Sequence, residues 1–254
     1  TFGFSILGTG YQPNIRAIDD EFSGIEDMPF ITVAAAADIV IPLRAGGWAI
    51  NDELSQAVGE YPYDDMGRLF TDRDFDTTTS RTSAGPSLWD QPVMAPFDCT
   101  SPNCNGQVDA LASPKTNVHV PASSETTFLA RRVFTLNAAQ ATAIDGTITY
   151  TCDSGCIFYI NGVYAGASPN MLNYGSLPGP NAFAFDSGDE MLPHATISGN
   201  LAAFGIPLFE GDNMFAVEIH NDDTTSSDIG FDASLSLTYD YSGLLANDDL
   251  DSAV

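Results

Sequence analysis

The stretch EGDNMFAVEIHNDDTTSSDIGFDASLSL, residues 210–237, decides the fold class of this chain. Apolar segments lie on either side of a loop of Asn, Asp, Thr and Ser residues, which predicts strands over 213–220 and 229–239. From Ala233 to Tyr239 polar and apolar residues alternate, as in a strand with one buried face and one wet face. The stretch therefore predicts two successive β-strands joined by a polar loop.

A second stretch, CIFYINGVYAG at residues 156–166, predicts a β-hairpin. Its centre, Asn161-Gly162, is a strong two-residue hairpin signal, because a type I′ turn needs positive φ at both positions. We expect one face to carry Ile157, Tyr159 and Val163, and the other to carry Phe158, Ile160 and Tyr164.

Similar short segments rich in Val, Ile, Phe, Tyr and Thr recur along the chain between Gly, Pro and small polar residues. This pattern is typical of an all-β sandwich or barrel. Further strands are expected at 2–7, 30–33, 39–43, 117–120, 127–136, 146–152, 182–185 and 194–198. Helical signals are weak, with single turns expected at 52–58, 137–144 and 199–204.

Three stretches together resemble the galactose-binding-domain-like jelly rolls, which are accessory modules of secreted bacterial carbohydrate-active and surface proteins. They are FLARRVFTL (128–136), the hairpin stretch 156–166 and the stretch 210–237. The resemblance covers residues 118–239. It implies a non-catalytic jelly-roll β-sandwich and does not identify a sugar, because sugar-binding residues of such modules lie on variable loops.

Composition changes near residue 115, which predicts three parts of the chain. Residues 1–115 form a loop-rich, β-containing N-terminal region, residues 116–241 the jelly roll, and residues 242–254 an acidic tail. Two arrangements of residues 1–115 stay open, because the region could form its own domain or wrap onto the jelly roll.

The charge balance excludes several classes of partner. Among 254 residues there are 8 Lys and Arg against 34 Asp and Glu, a formal net charge of −26. Nucleic acids and anionic membrane surfaces require clustered cations, so neither is an expected partner. No stretch approaches the ~20 apolar residues of a membrane span. Such an acidic surface favours saline surroundings or bound divalent cations.

The four cysteines form two close pairs, Cys99 with Cys104 and Cys152 with Cys156. Each pair brackets a turn sequence, so two local disulfides are predicted, with cross-pairing between the loops as the alternative. Disulfides indicate an oxidising compartment. The chain begins at Thr1 without an initiator methionine, which favours a processed chain, although a shortened chain would look the same. We therefore expect an extracellular or cell-surface location.

Acidic clusters make Ca²⁺ the expected ligand, because hard cations take six to eight oxygen ligands from carboxylates and carbonyls. Chance clustering in so acidic a chain is the alternative. A D-x-D-x-D run at 72–76 lacks the glycine and glutamate of an EF-hand loop. The candidate metal ligands are Asp222, Asp223, Asp228 and Asp232 in one loop and its exit, with Asp186, Asp189 and Glu190 in another.

Sugar binding and catalysis receive different support from the sequence. Trp48, Trp89 and Tyr174 are candidate rings for stacking on a sugar, with anchoring of the core or loops as the alternative. No G-x-S-x-G elbow, H-E-x-x-H helix or P-loop is present, and we expect no enzymatic activity. His119, His194 and His220 are far apart in sequence, and His220 is expected to bond within the loop that follows it.

The apolar start of the chain predicts a strand that could link subunits. Phe2, Phe4 and Ile6 fall at alternate positions of the strand 2–7. This strand can pair within its own sheet or with an open sheet edge of another copy, and head-to-tail addition of that kind gives filaments. We predict a structural subunit of an extracellular filament, tube or surface assembly, with a carbohydrate-binding or adhesion module as the alternative.

Overall fold

In the residues that the structure, a computed structural model, describes, there are fourteen β-strands and two short 3₁₀ helices. These residues are 37–55, 59–98, 116–117, 125–174, 178–185, 195–223 and 229–238. No helix in these ranges is long and apolar enough to cross a membrane. The strands are β1 (Ala37–Ile41), β2 (Gly46–Ser55), β3 (Arg81–Thr82), β4 (Gly85–Pro86), β5 (Asp90–Met94), β6 (Phe97–Asp98), β7 (Thr116–Asn117), β8 (Glu125–Leu136), β9 (Asp145–Asp153), β10 (Gly155–Ile160), β11 (Val163–Ala167), β12 (Ala195–Asn200), β13 (Gly211–His220) and β14 (Gly230–Thr238).

Two six-stranded sheets confirm the predicted all-β jelly-roll sandwich. Sheet A has the order β12-β9-β14-β6-β7, and β1 also pairs with β14. Sheet B has the order β11-β10-β13-β8-β2-β5. All neighbouring strands are antiparallel except β6 and β7. Strands β3 and β4 form a small separate hairpin.

One hydrophobic core fills the space between the sheets. It takes alternate residues of each strand, such as Phe215 and Val217 from β13 and Phe231 from β14. Trp48 lies at its centre without exposed surface, and its ring centroid is 5.4 Å from that of Phe231 and 5.9 Å from that of Phe97. The alternation predicted for β14 is therefore the alternation between core and outer face.

The Asn161-Gly162 turn has the predicted backbone, with φ of 50° and 83°. The faces of the second strand were predicted wrongly. Ile160 pairs directly with Val163, and Tyr159 with Tyr164, so each pair shares a face. Residues that flank a two-residue turn are directly opposite each other, and side chains of such pairs point to the same side. Val163 therefore packs on the core and Tyr164 on the outer face.

Strands from the first half of the chain belong to both sheets. β1 pairs with β14, and β2 pairs with β8. Residues 37–55 thus pair into both sheets, whereas the arrangement of the whole region 1–115 stays a prediction. The helical turn predicted at 52–58 is wrong for residues 52–55, which belong to β2. Pairing of Leu54 and Ser55 with β8 overrides the weak local helical signal.

Two other local predictions have opposite outcomes. The turn at 137–144 contains the 3₁₀ helix Gln140–Thr142, and Asn137 caps it: the Gln140 backbone N–H donates to Asn137 Oδ1 at 2.8 Å. The strand predicted at 182–185 is wrong. This segment makes isolated hydrogen bonds, for example from Ala184 N–H to the Asn221 carbonyl at 2.8 Å, instead of a ladder. The second 3₁₀ helix, Pro169–Tyr174, had no sequence signal.

Candidate functional site

Part of the outer face of sheet B is buried under residues 59–89, which we call the cover segment. Phe70 and Phe75 of this segment are 1% and 6% exposed. They pack in a second hydrophobic cluster with outward-facing residues of β8, β10 and β13, including Leu129 and Met214. Sheet B therefore has apolar residues on both faces, and the cover segment supplies the third layer of the fold.

A carboxylate, Glu218 of β13, lies within this second interface and is 1% exposed. Its Oε1 accepts a hydrogen bond from the Tyr159 hydroxyl at 2.5 Å, and its Oε2 accepts one from the Tyr61 hydroxyl at 2.6 Å. Burial and the negative charge of Glu218 raise the pKa of both tyrosines well above their usual range. Tyr61 thus ties the cover segment to the sheet through a buried ionisable group.

His220 is next to Glu218 on the same face of β13 and is fully buried. Its Nε2 is 3.0 Å from Glu218 Oε2, and its Nδ1 is 2.9 Å from the Ala182 carbonyl oxygen and 3.0 Å from Thr127 Oγ1. The sequence-based prediction that His220 bonds within the loop after it is wrong. A buried ring must find partners, and on a paired strand these come from across the sheet and from the segment above it.

A second buried carboxylate, Asp64, organises the cover segment. Its Oδ1 accepts from the backbone N–H groups of Met66 and Arg68 at 3.0 and 2.9 Å. Its Oδ2 accepts from Arg68 Nε at 2.7 Å and from the Asp76 N–H at 3.0 Å. Burial alone would raise the pKa of Asp64, but the four donors more than offset this and lower it to about 2.

The D-x-D-x-D run at 72–76 also serves the loop backbone. Asp72 Oδ1 accepts from the Asp74 N–H at 3.0 Å, and Asp76 Oδ1 accepts from the Thr78 N–H at 2.8 Å. These short-range bonds are Asx-type turns, which fix a loop without a metal. From below, buried Arg131 of β8 donates through Nη2 to the Asp72 carbonyl at 3.1 Å.

Near the start of β13, the loop of Arg73 and Asp74 contacts the loop of Phe209, and Asp212 follows on the strand itself. We call these four residues the rim patch. The Arg73 guanidinium carbon is 4.5 Å from the centroid of the Phe209 ring, and Arg73 Nε donates to Asp74 Oδ1 at 3.3 Å. Phe209 is 39% exposed. Asp212 is held by the Thr135 hydroxyl at 3.0 Å.

Two asparagines hold the backbone beneath the rim patch. Asn213 accepts from the Phe209 N–H at 3.0 Å and donates to the Phe209 carbonyl at 2.7 Å. Asn161 of the hairpin turn donates to Asn213 Oδ1 at 2.8 Å and to the Pro207 carbonyl at 2.7 Å. The exposed ring is therefore carried by a loop whose conformation is already fixed.

The three predicted sugar-stacking rings have different positions. Trp48 is at the centre of the core, so the prediction for it is corrected: a ring without exposed surface cannot stack on a sugar. Trp89 is half-buried, packs edge-on against Phe75 and donates through Nε1 to Ser80 Oγ at 2.9 Å, as a loop anchor does. Tyr174 ends a 3₁₀ helix, and its side chain lies outside the described part.

The predicted metal ligands are only partly described. Asp222 is half-buried and Asp223 exposed after β13, whereas Asp232 is 3% exposed within β14 and accepts from the Arg44 N–H at 3.0 Å. Within the described ranges, no group of three or more His, Cys, Asp or Glu side chains could hold a metal ion. The calcium prediction stays a prediction, because the other ligands, Asp186, Asp189, Glu190 and Asp228, lie outside the described residues.

The structure describes only two of the remaining predicted residues, Cys152 and Cys156. Cys152 and Cys156 are buried on β9 and β10, in different sheets, and their pairing stays a prediction. The first cysteine pair, two histidines and the assembly strand lie outside the described residues: Cys99, Cys104, His119, His194, Phe2, Phe4 and Ile6.

Sequence reasoning missed the polar groups of the second interface and of the rim patch. Glu218 alternates with core residues of β13, which in an uncovered sheet indicates a solvent-facing side chain. Nothing local shows that residues 59–89 fold back over that face. The usable signal was the aromatic content of a loop-like region, since Tyr61, Phe70 and Phe75 need a surface to pack on.

Comparison with known proteins gives a fold likeness to parts of larger enzymes. No protein-family model matches the chain, and no curated protein matches it. A Bacteroides uniformis beta-glucuronidase is similar over 80% of this chain and 18% of its own, with 14% identity and a TM-score of 0.41. A putative beta-galactosidase from Bacteroides fragilis is similar over 82% and 24%, with 10% identity and a TM-score of 0.40.

A beta-glucuronidase from an uncultured Clostridium species shows 11% identity over 84% of this chain and 31% of its own, with a TM-score of 0.37. This chain thus spans less than a third of each of these three proteins. At such identities and TM-scores the likeness carries no argument about activity or ligand.

Proposed function

We propose that the chain is a non-catalytic carbohydrate-binding module of an extracellular protein, and that it binds its glycan at the rim patch. One observation carries the proposal. The exposed ring of Phe209 lies against the Arg73 guanidinium, and the Asp74 carboxylate accepts from Arg73 Nε. The group is on loops at one end of a sandwich, where binding residues of such scaffolds are found.

The chemistry of this group suits a sugar. A sugar ring presents an apolar C–H face, which stacks on an aromatic ring, and a rim of hydroxyl groups. A guanidinium has five N–H donors, and a carboxylate has several acceptor positions. A ring with both kinds of polar group around it can therefore hold a sugar by its face and its edge together.

Preorganisation supports the same assignment. Asn213 and Asn161 fix the loop of Phe209, while Asp72 and buried Arg131 fix the loop of Arg73. A site that is already ordered loses little conformational entropy when a ligand binds. An exposed arginine–aromatic contact without such support would lose more conformational entropy on binding.

A glycan screen followed by titration tests the proposal. The wild-type chain should bind at least one glycan, and Phe209→Ala and Arg73→Ala should each weaken it about tenfold, the equivalent of about 1.4 kcal/mol. Phe185→Ala is the matched control, because Phe185 is a 56% exposed phenylalanine on another segment. Equal affinity of wild type and both rim variants would overturn the assignment, as would binding of no glycan by the wild type.

A structural subunit of a filament is the second candidate, and one observation favours it. β12 pairs only with β9, so in the described part of the chain one side of β12 is open to an added strand. The donor would be the strand 2–7 of another copy. Electron microscopy should then show polymers that vanish when residues 1–10 are deleted, and polymers that survive the deletion would contradict strand donation.

Calcium and the extracellular location complete the proposal. The acidic loop that begins at Asp222 supports Ca²⁺ as a bound ion, and the cysteine usage supports an oxidising compartment. If Ca²⁺ is bound, a chelator should lower the melting temperature of the protein and added Ca²⁺ should restore it. An unchanged melting temperature would exclude a structural calcium ion.

A further inference from the structure

Two neighbouring arginines of β8, Arg131 and Arg132, point to opposite faces of sheet B, because side chains alternate along a strand. Arg131 lies on the outer face under the cover segment, where it donates to the Asp72 carbonyl. Arg132 is therefore on the core face, between the buried residues Ala130 and Phe134 of the same strand. A guanidinium thus enters the face of the sheet that packs on the hydrophobic core, and it does not belong to the rim patch.

Arg132 lacks the partners that a buried charge needs. Its side chain is half-buried, and its Nη1 atom is enclosed without a hydrogen-bond partner from the described residues. Burial lowers the pKa of Arg132, and no carboxylate in the described ranges offsets this effect. Burial also lowers the pKa of Arg131, but there Asp72 and Asp64 act in the opposite direction. The charge of Arg132 is costly in these surroundings unless an anion neutralises it.

A second donor without an acceptor lies directly beside Arg132. Trp48 of β2 is paired with Arg132, and residues paired in this way have Cα atoms about 4.5–5.5 Å apart and side chains on the same side. Trp48 is fully buried, and its Nε1–H finds no acceptor in the part of the chain that the structure describes. The N–H of the other tryptophan, Trp89, donates to Ser80 Oγ at 2.9 Å. Buried donors almost always have a partner, so two of them at paired positions indicate a shared acceptor.

The backbone next to these donors leaves room for an acceptor. The pairing of β2 with β5 shifts by one residue at Gly47, which makes Gly47 the extra residue of a β-bulge. Its φ is 80°, in the left-handed region that glycine favours. Among the described atoms, a Cβ placed on Gly47 would have only Arg132 Nε within reach, at 4.0 Å. Gly47 is also exposed, so the space beside the guanidinium opens to solvent.

We propose that Arg132, Trp48 and the bulge at Gly47 form a binding site for one small carboxylate ion. The ion must be negative, because it has to balance the guanidinium as well as accept hydrogen bonds. The forked N–H donors of a guanidinium match the two oxygens of a carboxylate, and the indole N–H can donate to a further lone pair. The ion enters beside Gly47, where no side chain stands in its way.

Indole N–H resonances report on this site directly. Nitrogen–proton NMR spectra should show one such resonance for each of the two tryptophans, and Trp89→Phe identifies them. Titration with sodium formate, at an ionic strength held constant with a bulky sulfonate salt, should shift the Trp48 resonance until it saturates. The Trp89 resonance should not move, because its N–H is already bonded to Ser80. A Trp48 resonance that stays in place, or equal shifts of both resonances, would overturn the proposal.

Arg132→Met is the decisive variant, because methionine keeps an apolar stem in the core and removes every donor. Arg81→Met is the matched control, because Arg81 is an exposed arginine on β3. Formate should raise the melting temperature of the wild type and of Arg81→Met, since it binds the folded state, and should leave that of Arg132→Met unchanged. The formate affinity of Arg132→Met should be at least about tenfold lower than that of the wild type, the loss expected for a charged hydrogen bond.

Two outcomes of these measurements would refute the site. One is an Arg132→Met variant that binds formate as tightly as the wild type. The other is a wild type that binds chloride as tightly as formate at the same ionic strength, because a forked match to two oxygens favours the carboxylate. If Arg132→Met fails to fold, the formate titration of the Trp48 resonance in the wild type decides.

Discussion

Removing the charge of Asp64 should loosen the cover segment by an amount that its contacts define. In Asp64→Asn the side chain keeps its shape, but one of its two oxygens becomes an amide that faces N–H donors. Asp64 accepts four hydrogen bonds, two at each oxygen. Hydrogen bonds to charged groups contribute about 1.5–3 kcal/mol each to stability. In the variant, part of this energy is recovered because the exposed donors form hydrogen bonds to water instead. We expect a loss of about 3 kcal/mol in the free energy of unfolding at pH 7.

Urea unfolding, followed by circular dichroism and tryptophan fluorescence, measures this loss. Asp65→Asn is the control, because Asp65 is an exposed carboxylate next in the chain. The low pKa of Asp64, about 2, adds a second expectation. The Asp64 carboxylate stabilises the fold fully at pH values above the usual pKa of an aspartate, and this contribution is lost as the pH falls through about 2. The difference in unfolding free energy between wild type and Asp64→Asn should therefore disappear between about pH 4 and pH 2. Equal midpoints for the two variants at pH 7, or a gap that persists at pH 2, would refute the reasoning.

Three further predictions concern the core, a close approach of backbone and the cysteines. Trp48→Ala should lower the free energy of unfolding by about 4 kcal/mol, because the Trp48 ring is fully buried. If the folded variant also bound glycan more weakly than the wild type, that result would contradict a purely structural role for Trp48 in glycan binding. Gly166→Ala should destabilise more than Gly162→Ala in thermal melts: a Cβ at Gly166 would be 2.8 Å from Ile197 Cγ2, whereas at Gly162 only the positive φ opposes a side chain, at about 1 kcal/mol. If both predicted disulfides are present, intact mass should show no uptake of alkylating reagent without reductant, and uptake of four groups would exclude them.

The sequence predicted several of the strands that bury one face on the core. β8, β9, β13 and β14 carry period-2 patterns, and their observed bounds differ from the predicted ones by two residues or fewer. β2 was missed because Asn51 and the acidic residues after it interrupt the apolar pattern. β2 forms because it pairs with β8 on one side and with β5 on the other, and both pairings are non-local.

The candidate site was less predictable than the fold, for a physical reason. Trp48 and Phe209 are both large aromatic residues, and only tertiary packing makes the first a core residue and the second an exposed ring. Glu218 is charged, and its burial depends on a segment more than a hundred residues earlier in the chain that brings Tyr61 to it. Local patterns record the face of a strand, but they do not record what packs on that face.

The pairing of the first described strand with the last one has a consequence for redesign. Ala37 of β1 is directly opposite Thr238 of β14, so the backbone enters and leaves the sandwich side by side. A short linker between these two positions could close the chain, and new ends could then be opened at the Asn161-Gly162 turn. For the same reason, residues 37–238 could be inserted into an exposed loop of a host protein. The two ends of that loop would stay close together, because the inserted chain begins and ends at neighbouring positions.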